Sequence, residues 1–146
     1  MSIPNLSIPA PRRSVEDHRP PQPADVPAGS MSLLVQARSS LHSAEGDAGA
    51  GERYVAAHLA ALRAATAVVV ARARQQERTR PTSVWALLTA AAPELREWAA
   101  FFAARSDRRA AAEAGVPVTG RDADDLVAKS REFLDVVGRN LTGAVR

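Results

Sequence analysis

The chain contains no cysteine, which excludes a disulfide framework and thiolate metal sites. Aromatic residues make up only 4% of its 146 residues, so the 46% hydrophobic content comes mostly from alanine, valine and leucine. Such side chains bury little area each but let helices approach closely. Lysine is almost missing: Lys129 stands alone against 18 arginines. Arginine's planar fork of donors suits phosphate and carboxylate, which admits a polyanionic partner. The same bias follows from the codon usage of a GC-rich genome, and a net charge of +3 is too small to specify nucleic acid. β-Branched residues are few and period-two alternation is missing, so no strand pattern competes. No run approaches the roughly 20 apolar residues that span a bilayer, and no cationic start followed by an apolar core opens the chain. The expectation is a soluble cytoplasmic protein of one domain, with no membrane partner and no implied cofactor.

Seven of the ten prolines fall within residues 1–30. Proline at that density prevents helix and sheet ladders, so residues 1–30 are expected to be a disordered tail and residues 31–143 a folded domain. The domain reads as helix throughout. Helices are expected from Ser30 to about Ala44, with Met31, Leu34, Val35 and Leu41 on one side, and from about Glu52 to Gln76 after a small-residue loop over 45–51. A short helix follows over Ser83–Ala91, then a long one from Pro93 to about Ala114, ended by Gly115. The last opens on a capping-box-like Thr119 and Asp122 and carries Ala123, Leu126, Val127, Ser130, Phe133, Leu134, Val137 and Leu141 at amphipathic spacing. Four long helices and one short one, joined by brief connections, are most simply buried as an all-α, up-and-down four-helix bundle.

Few residues carry chemistry. Arg53 and His58 form Arg-x4-His just after the Gly49–Gly51 loop. Open backbone N–H groups at a helix start favour a bound phosphate. Arg53 would stabilise charge on a phosphorane there, and His58 would move protons near neutral pH. Five positions turn about 140° around a helix, so the two share no face in mid-helix. The same spacing recurs at Arg13 and His18 in the tail. His58 also lies on a stripe with Tyr54, Ala61, Leu62 and Ala65, which fits a core or contact histidine equally. Arg72, Arg74, Arg78 and Arg80, with Arg63 upstream, are candidate contacts to a phosphate backbone. At the C-terminal end of a helix, arginines also complement the dipole. Asp122, Asp124 and Asp125 suggest either a hard cation or a solvated helix cap. Phe101 and Phe102 point about 100° apart, so one of them faces a partner helix or subunit.

Several blocks taken together resemble a small actinobacterial family of HEPN-domain proteins. They are Glu52 to Ala65 (ERYVAAHLAALRAA), Ser83 to Leu88 (SVWALL), Pro93 to Phe102 (PELREWAAFF), Asp122 to Leu126 (DADDL) and Glu132 to Leu134 (EFL). The resemblance implies a four-helix up-and-down bundle. It also implies a superfamily in which many members are metal-independent ribonucleases whose Arg-x4–6-His motifs meet across a homodimer interface. Other members are non-catalytic and bind RNA, nucleotides or partner proteins. Only Arg53 and His58 match the motif in this chain. The expected roles are therefore RNA binding or metal-independent cleavage by a homodimer, or else a non-catalytic bundle that docks another protein.

Overall fold

The structure, a computed structural model, describes residues 28–47, 49–72 and 83–143. The expected proline-rich tail up to residue 27 and the segment around Arg74, Arg78, Arg80 and Pro81 lie outside them. Six α-helices and one 3₁₀ turn form the described chain: α1 (Ala28–Asp47), α2 (Ala50–Ala71), α3 (Val84–Ala91), the 3₁₀ turn Pro93–Leu95, α4 (Arg96–Ala103), α5 (Ser106–Glu113) and α6 (Gly120–Thr142). No strand occurs among the described residues, and the fold is an all-α bundle as expected.

The bundle is organised on α2. Its buried positions are Tyr54, Ala57, His58, Ala60, Ala61, Ala64, Ala65, Ala67 and Val68. Methyl side chains on this surface let α1, α3, α5 and α6 come close to the α2 backbone. Two buried serines use that proximity. Ser30 Oγ donates to the Ala67 carbonyl at 2.8 Å, and Ser130 Oγ donates to the Ala57 carbonyl at 2.8 Å. Each pins a flanking helix to α2 and satisfies its own buried hydroxyl. By length and composition, Ala50–Ala71 would also suffice to cross a membrane, which amends the expectation that no run comes close. Half of its most apolar window is buried inside the bundle, the position of a core helix.

Bulk is supplied where alanine leaves room. Phe102 and Phe133 are fully buried, and their ring centroids lie 5.3 Å apart. Trp85 stacks on Phe102 at 5.4 Å and Trp98 packs on Phe133 at 5.3 Å. Together these rings fill the space between α3, α4, α6 and the alanine face of α2.

Several boundaries differ from expectation. α1 starts at Ala28 and runs to Asp47, so residues 45–47 and 50–51, expected in a loop, are helical. α2 opens at Ala50, where Glu52 Oε1 accepts the Gly49 N–H at 3.3 Å. Val35, expected on the inner side of α1, is 61% exposed, while Ser30, Leu34, Ala37 and Leu41 form the buried stripe. It lies one residue, about 100°, from that stripe.

The largest difference is in the helix expected over Pro93–Ala114. It breaks at Ala104–Arg105 into α4 and α5. The Arg105 N–H bonds back to the Phe102 carbonyl at 3.0 Å, an i→i−3 step, while the Arg105 guanidinium takes the Phe101 carbonyl at 2.6 Å. Side-chain bonds into the helix ladder are a recognised cause of such kinks. Gly115 then ends α5 at φ 100°, with Gly115 N–H to Ala112 and Val116 N–H to Ala111, the Schellman pattern that favours glycine. Thr119 caps α6 by accepting the Asp122 N–H at 3.0 Å, as expected, although the Asp122 carboxylate turns to Arg108 instead of closing the box.

Phe102→Ala is expected to lower stability by about 3–5 kcal/mol, because it opens a cavity that α2's alanines cannot fill. Val35→Ala should change it by no more than about 0.5 kcal/mol. Urea denaturation of the two variants measures both.

Candidate functional site

Arg53 and His58 both sit on α2, and the fold sends them to different neighbours. Arg53 reaches α6, where its Nη2 donates to Asp124 Oδ1 at 2.9 Å. The pair lines a shallow depression with Glu45, Val127 and Arg131, and Arg131 is itself paired with Glu45. Cations and carboxylates alternate there, so Arg53 helps tie α2 to α6.

His58 points the other way, into the core, and is 0% exposed. Its Nε2 lies 2.9 Å from the Phe102 carbonyl. A carbonyl can only accept, so Nε2 carries the proton and donates it. Trp85 and Phe102 wall the imidazole edge-on, at 5.8 Å and 6.0 Å. Nδ1 has no hydrogen-bond partner among the described residues. Burial lowers the His58 pKa below its ordinary 6.5. The Arg109 and Arg105 charges push the same way, against the Phe102 hydrogen bond and the Glu113 charge. The ring is thus a neutral donor that satisfies the Phe102 carbonyl, at the residue whose carbonyl also takes the tightened turn into α5. A histidine in proton transfer must meet its substrate within hydrogen-bonding reach, and among the described residues no open cleft brings Arg53 and His58 together.

The other arginine candidates divide similarly. Arg63 donates to Ser40 Oγ at 3.2 Å, joining α2 to α1. Arg72 donates to the Ala91 carbonyl at 2.9 Å, to Glu94 Oε2 at 2.7 Å and to Asn140 Oδ1 at 3.1 Å, and Asn140 Nδ2 donates to the same Glu94 oxygen. One guanidinium therefore clamps the ends of α2, α3 and α6. Its hydrogen bonds hold the Glu94 carboxyl below its ordinary pKa of 4.5. Arg74, Arg78 and Arg80 lie outside the described residues. Of the acidic trio, Asp122 pairs with Arg108 at 2.7 Å and Asp124 with Arg53. Among the described residues no group of three or more histidines and carboxylates is placed to hold a metal ion.

Sequence reasoning missed a large concavity. A groove of about 940 Å³ runs between the α4–α5 arm and α6, lined by Tyr54, Phe101, Ala104, Arg105, Arg108 and a face of α6 from Asp122 to Asp135. Of the two adjacent phenylalanines, Phe102 enters the core and half-buried Phe101 faces this groove. The Arg105 guanidinium lies 3.6 Å over the Phe101 ring. A signal was present: 101, 104, 105 and 108 recur at i, i+3, i+4, i+7, as do 122, 125, 126 and 129. The break at residues 104–105 hides the first series from a single-helix reading.

Two pH dependences follow. A depressed His58 pKa contributes stability that is full above pH 6.5 and is lost as the pH falls from there through the folded-state pKa. Its slope is at most about 1.4 kcal/mol per pH unit. Urea midpoints taken between pH 7.5 and 5 should fall for the wild type, with a flatter profile for His58→Gln. The depressed Glu94 pKa adds stability above pH 4.5 that is lost at lower pH. Arg72→Met should reduce that acid-range loss while lowering stability at neutral pH, as acid titrations followed by circular dichroism will read.

Comparison with known proteins agrees with the bundle. The model of the SAV_6107-like HEPN family matches residues 44–138. Searches of curated proteins and of solved structures found no match. The matched span runs from the end of α1 through most of α6 and takes in α2 with its buried His58, the aromatic cluster and the groove. The family match covers well over half of the chain, and with the all-α bundle it makes this protein a member of the HEPN superfamily.

Proposed function

We propose that this chain is a non-catalytic HEPN-domain protein that works by docking another protein on its helical faces. The observation that carries the reading is the position of His58: fully buried, between two aromatic rings, with Nε2 committed to the Phe102 carbonyl. General acid–base work needs a group within reach of the substrate proton, and releasing His58 would break its buried hydrogen bond to the Phe102 carbonyl and unpack it from the Trp85 and Phe102 rings. Arg53 supports the same reading, because binding a scissile phosphate would compete with its ion pair to Asp124.

The surface points in the same direction. Arg63 and Arg72 spend their guanidinium groups on bonds between helices. The large groove carries carboxylates as well as cations above an apolar floor. Carboxylates repel phosphates, whereas both signs of charge around apolar side chains suit a protein surface.

Single-stranded RNA incubated with the protein and a chelator is expected to stay intact. Cleavage without metal that disappears in His58→Gln, with helicity retained, would overturn the proposal. Arg53→Ala should leave any weak RNA binding unchanged in a filter-binding titration.

A further inference from the structure

We infer that the groove between the α4–α5 arm and α6 receives one amphipathic helix of a partner protein, acidic along one flank and basic along the other. This rests on the protein-docking reading above and names the partner's chemistry. The shape is the first argument. The α6 face of the groove extends from Asp122 to Asp135, which at 1.5 Å per residue is about 20 Å, the length of a helix of some four turns. The two walls come from consecutive helical segments joined by the Gly115 turn, so a helix laid between them would complete a three-helix layer. The floor is apolar, formed by Phe101, Leu126 and the ring of Tyr54.

Charge is the second argument. The α4–α5 wall contributes Arg105 and Arg108 and no carboxylate. The α6 wall contributes Asp122, Asp125, Glu132 and Asp135 against Lys129 and Arg131, an acidic balance. The ion pair between Arg108 and Asp122, at 2.7 Å, joins the two walls at the end near the α5–α6 loop. Further along, the Arg105 guanidinium sits 3.6 Å over the Phe101 ring on one side, and exposed Asp125 stands on the other. A helix on this floor meets cations along one edge and carboxylates along the other, so its own flanks must be acidic and basic. RNA, with phosphate on every residue, would gain on one wall and be repelled by the other.

A second copy is the poorer occupant. Two concave grooves cannot fill one another across a two-fold axis, and a convex face of one copy in the groove of the next would propagate as an open chain.

The test uses the full-length protein and labelled helical peptides of about 18 residues, long enough to hold some helix in water. One peptide has a leucine stripe with a glutamate flank and a lysine flank. Two others keep the stripe but have both flanks acidic or both basic. In the fourth, serine replaces the leucines of the mixed-flank peptide. Fluorescence anisotropy is expected to show the mixed-flank peptide binding about tenfold more tightly than either uniform one, with the serine version weakest. Arg105→Glu should move the preference to the basic peptide. Asp125→Lys, an exposed change that leaves the Arg105 contacts intact, should move it to the acidic one. Equal binding of the first three peptides, or an unchanged ranking in Asp125→Lys, would overturn the inference. So would a single-stranded RNA that competes the mixed-flank peptide off. These failures leave the docking proposal standing if RNA stays uncleaved, whereas cleavage dependent on His58 removes the proposal itself.

Discussion

The alanine face of α2 sets the distance at which the rest of the bundle is built. Ala57, Ala60, Ala61, Ala64, Ala65 and Ala67 are all fully buried. Methyl groups allow neighbouring helices to approach the α2 backbone closely enough for Ser30 and Ser130 to bond its carbonyls. The cost is area, because alanine buries little. The structure compensates with a few large rings, and Phe102, Phe133, Trp85 and Trp98 are gathered on one side of α2. This also explains how a chain with 4% aromatics assembles a continuous core.

His58 is the polar exception on that face, and its role follows from what it touches. The α4–α5 arm bends at residues 104–105, and the Phe101 and Phe102 carbonyls there are partnered by the Arg105 guanidinium, the Arg105 N–H and the His58 ring. The bend carries α5 back onto α2 and opens the groove beside α6. One buried imidazole therefore supports the turn that shapes the groove beside α6. A residue type suited to catalysis is used here as a hydrogen-bond donor inside a helix junction.

The surface arginines follow a similar logic. Arg38 bonds Asp135 and the Leu134 carbonyl, Arg53 bonds Asp124, and Arg72 gathers Ala91, Glu94 and Asn140. Each is a long side chain joining two or more helical segments, with a planar fork able to serve several acceptors at once. Exposed pairs of this kind contribute little individually, and the Arg72 cluster, with its shared carboxylate, is the best connected of them.

Much of the fold could be read along the chain, because helix caps and apolar spacing are local properties. The stripe from Ala123 to Leu141, the Thr119 cap, Ser83 at the start of α3 and the Gly115 stop were all legible. The bend after Ala103 was not, since residues 93–114 have good helical periodicity and the bonds that bend them come partly from His58, far away in sequence. The candidate site was legible only as residue types. Sequence placed Arg53 and His58 five positions apart, hence on different sides of a helix. Which side would face solvent was decided by the packing of α3 and α6 against α2 and by Phe102 of α4, which put an aromatic wall around His58 and a carboxylate beside Arg53. Local sequence thus determined where helices begin, end and turn apolar. Tertiary structure alone decided whether a histidine became a reagent or a buried strut, because burial and hydrogen-bond partners come from segments that meet only when the chain has folded.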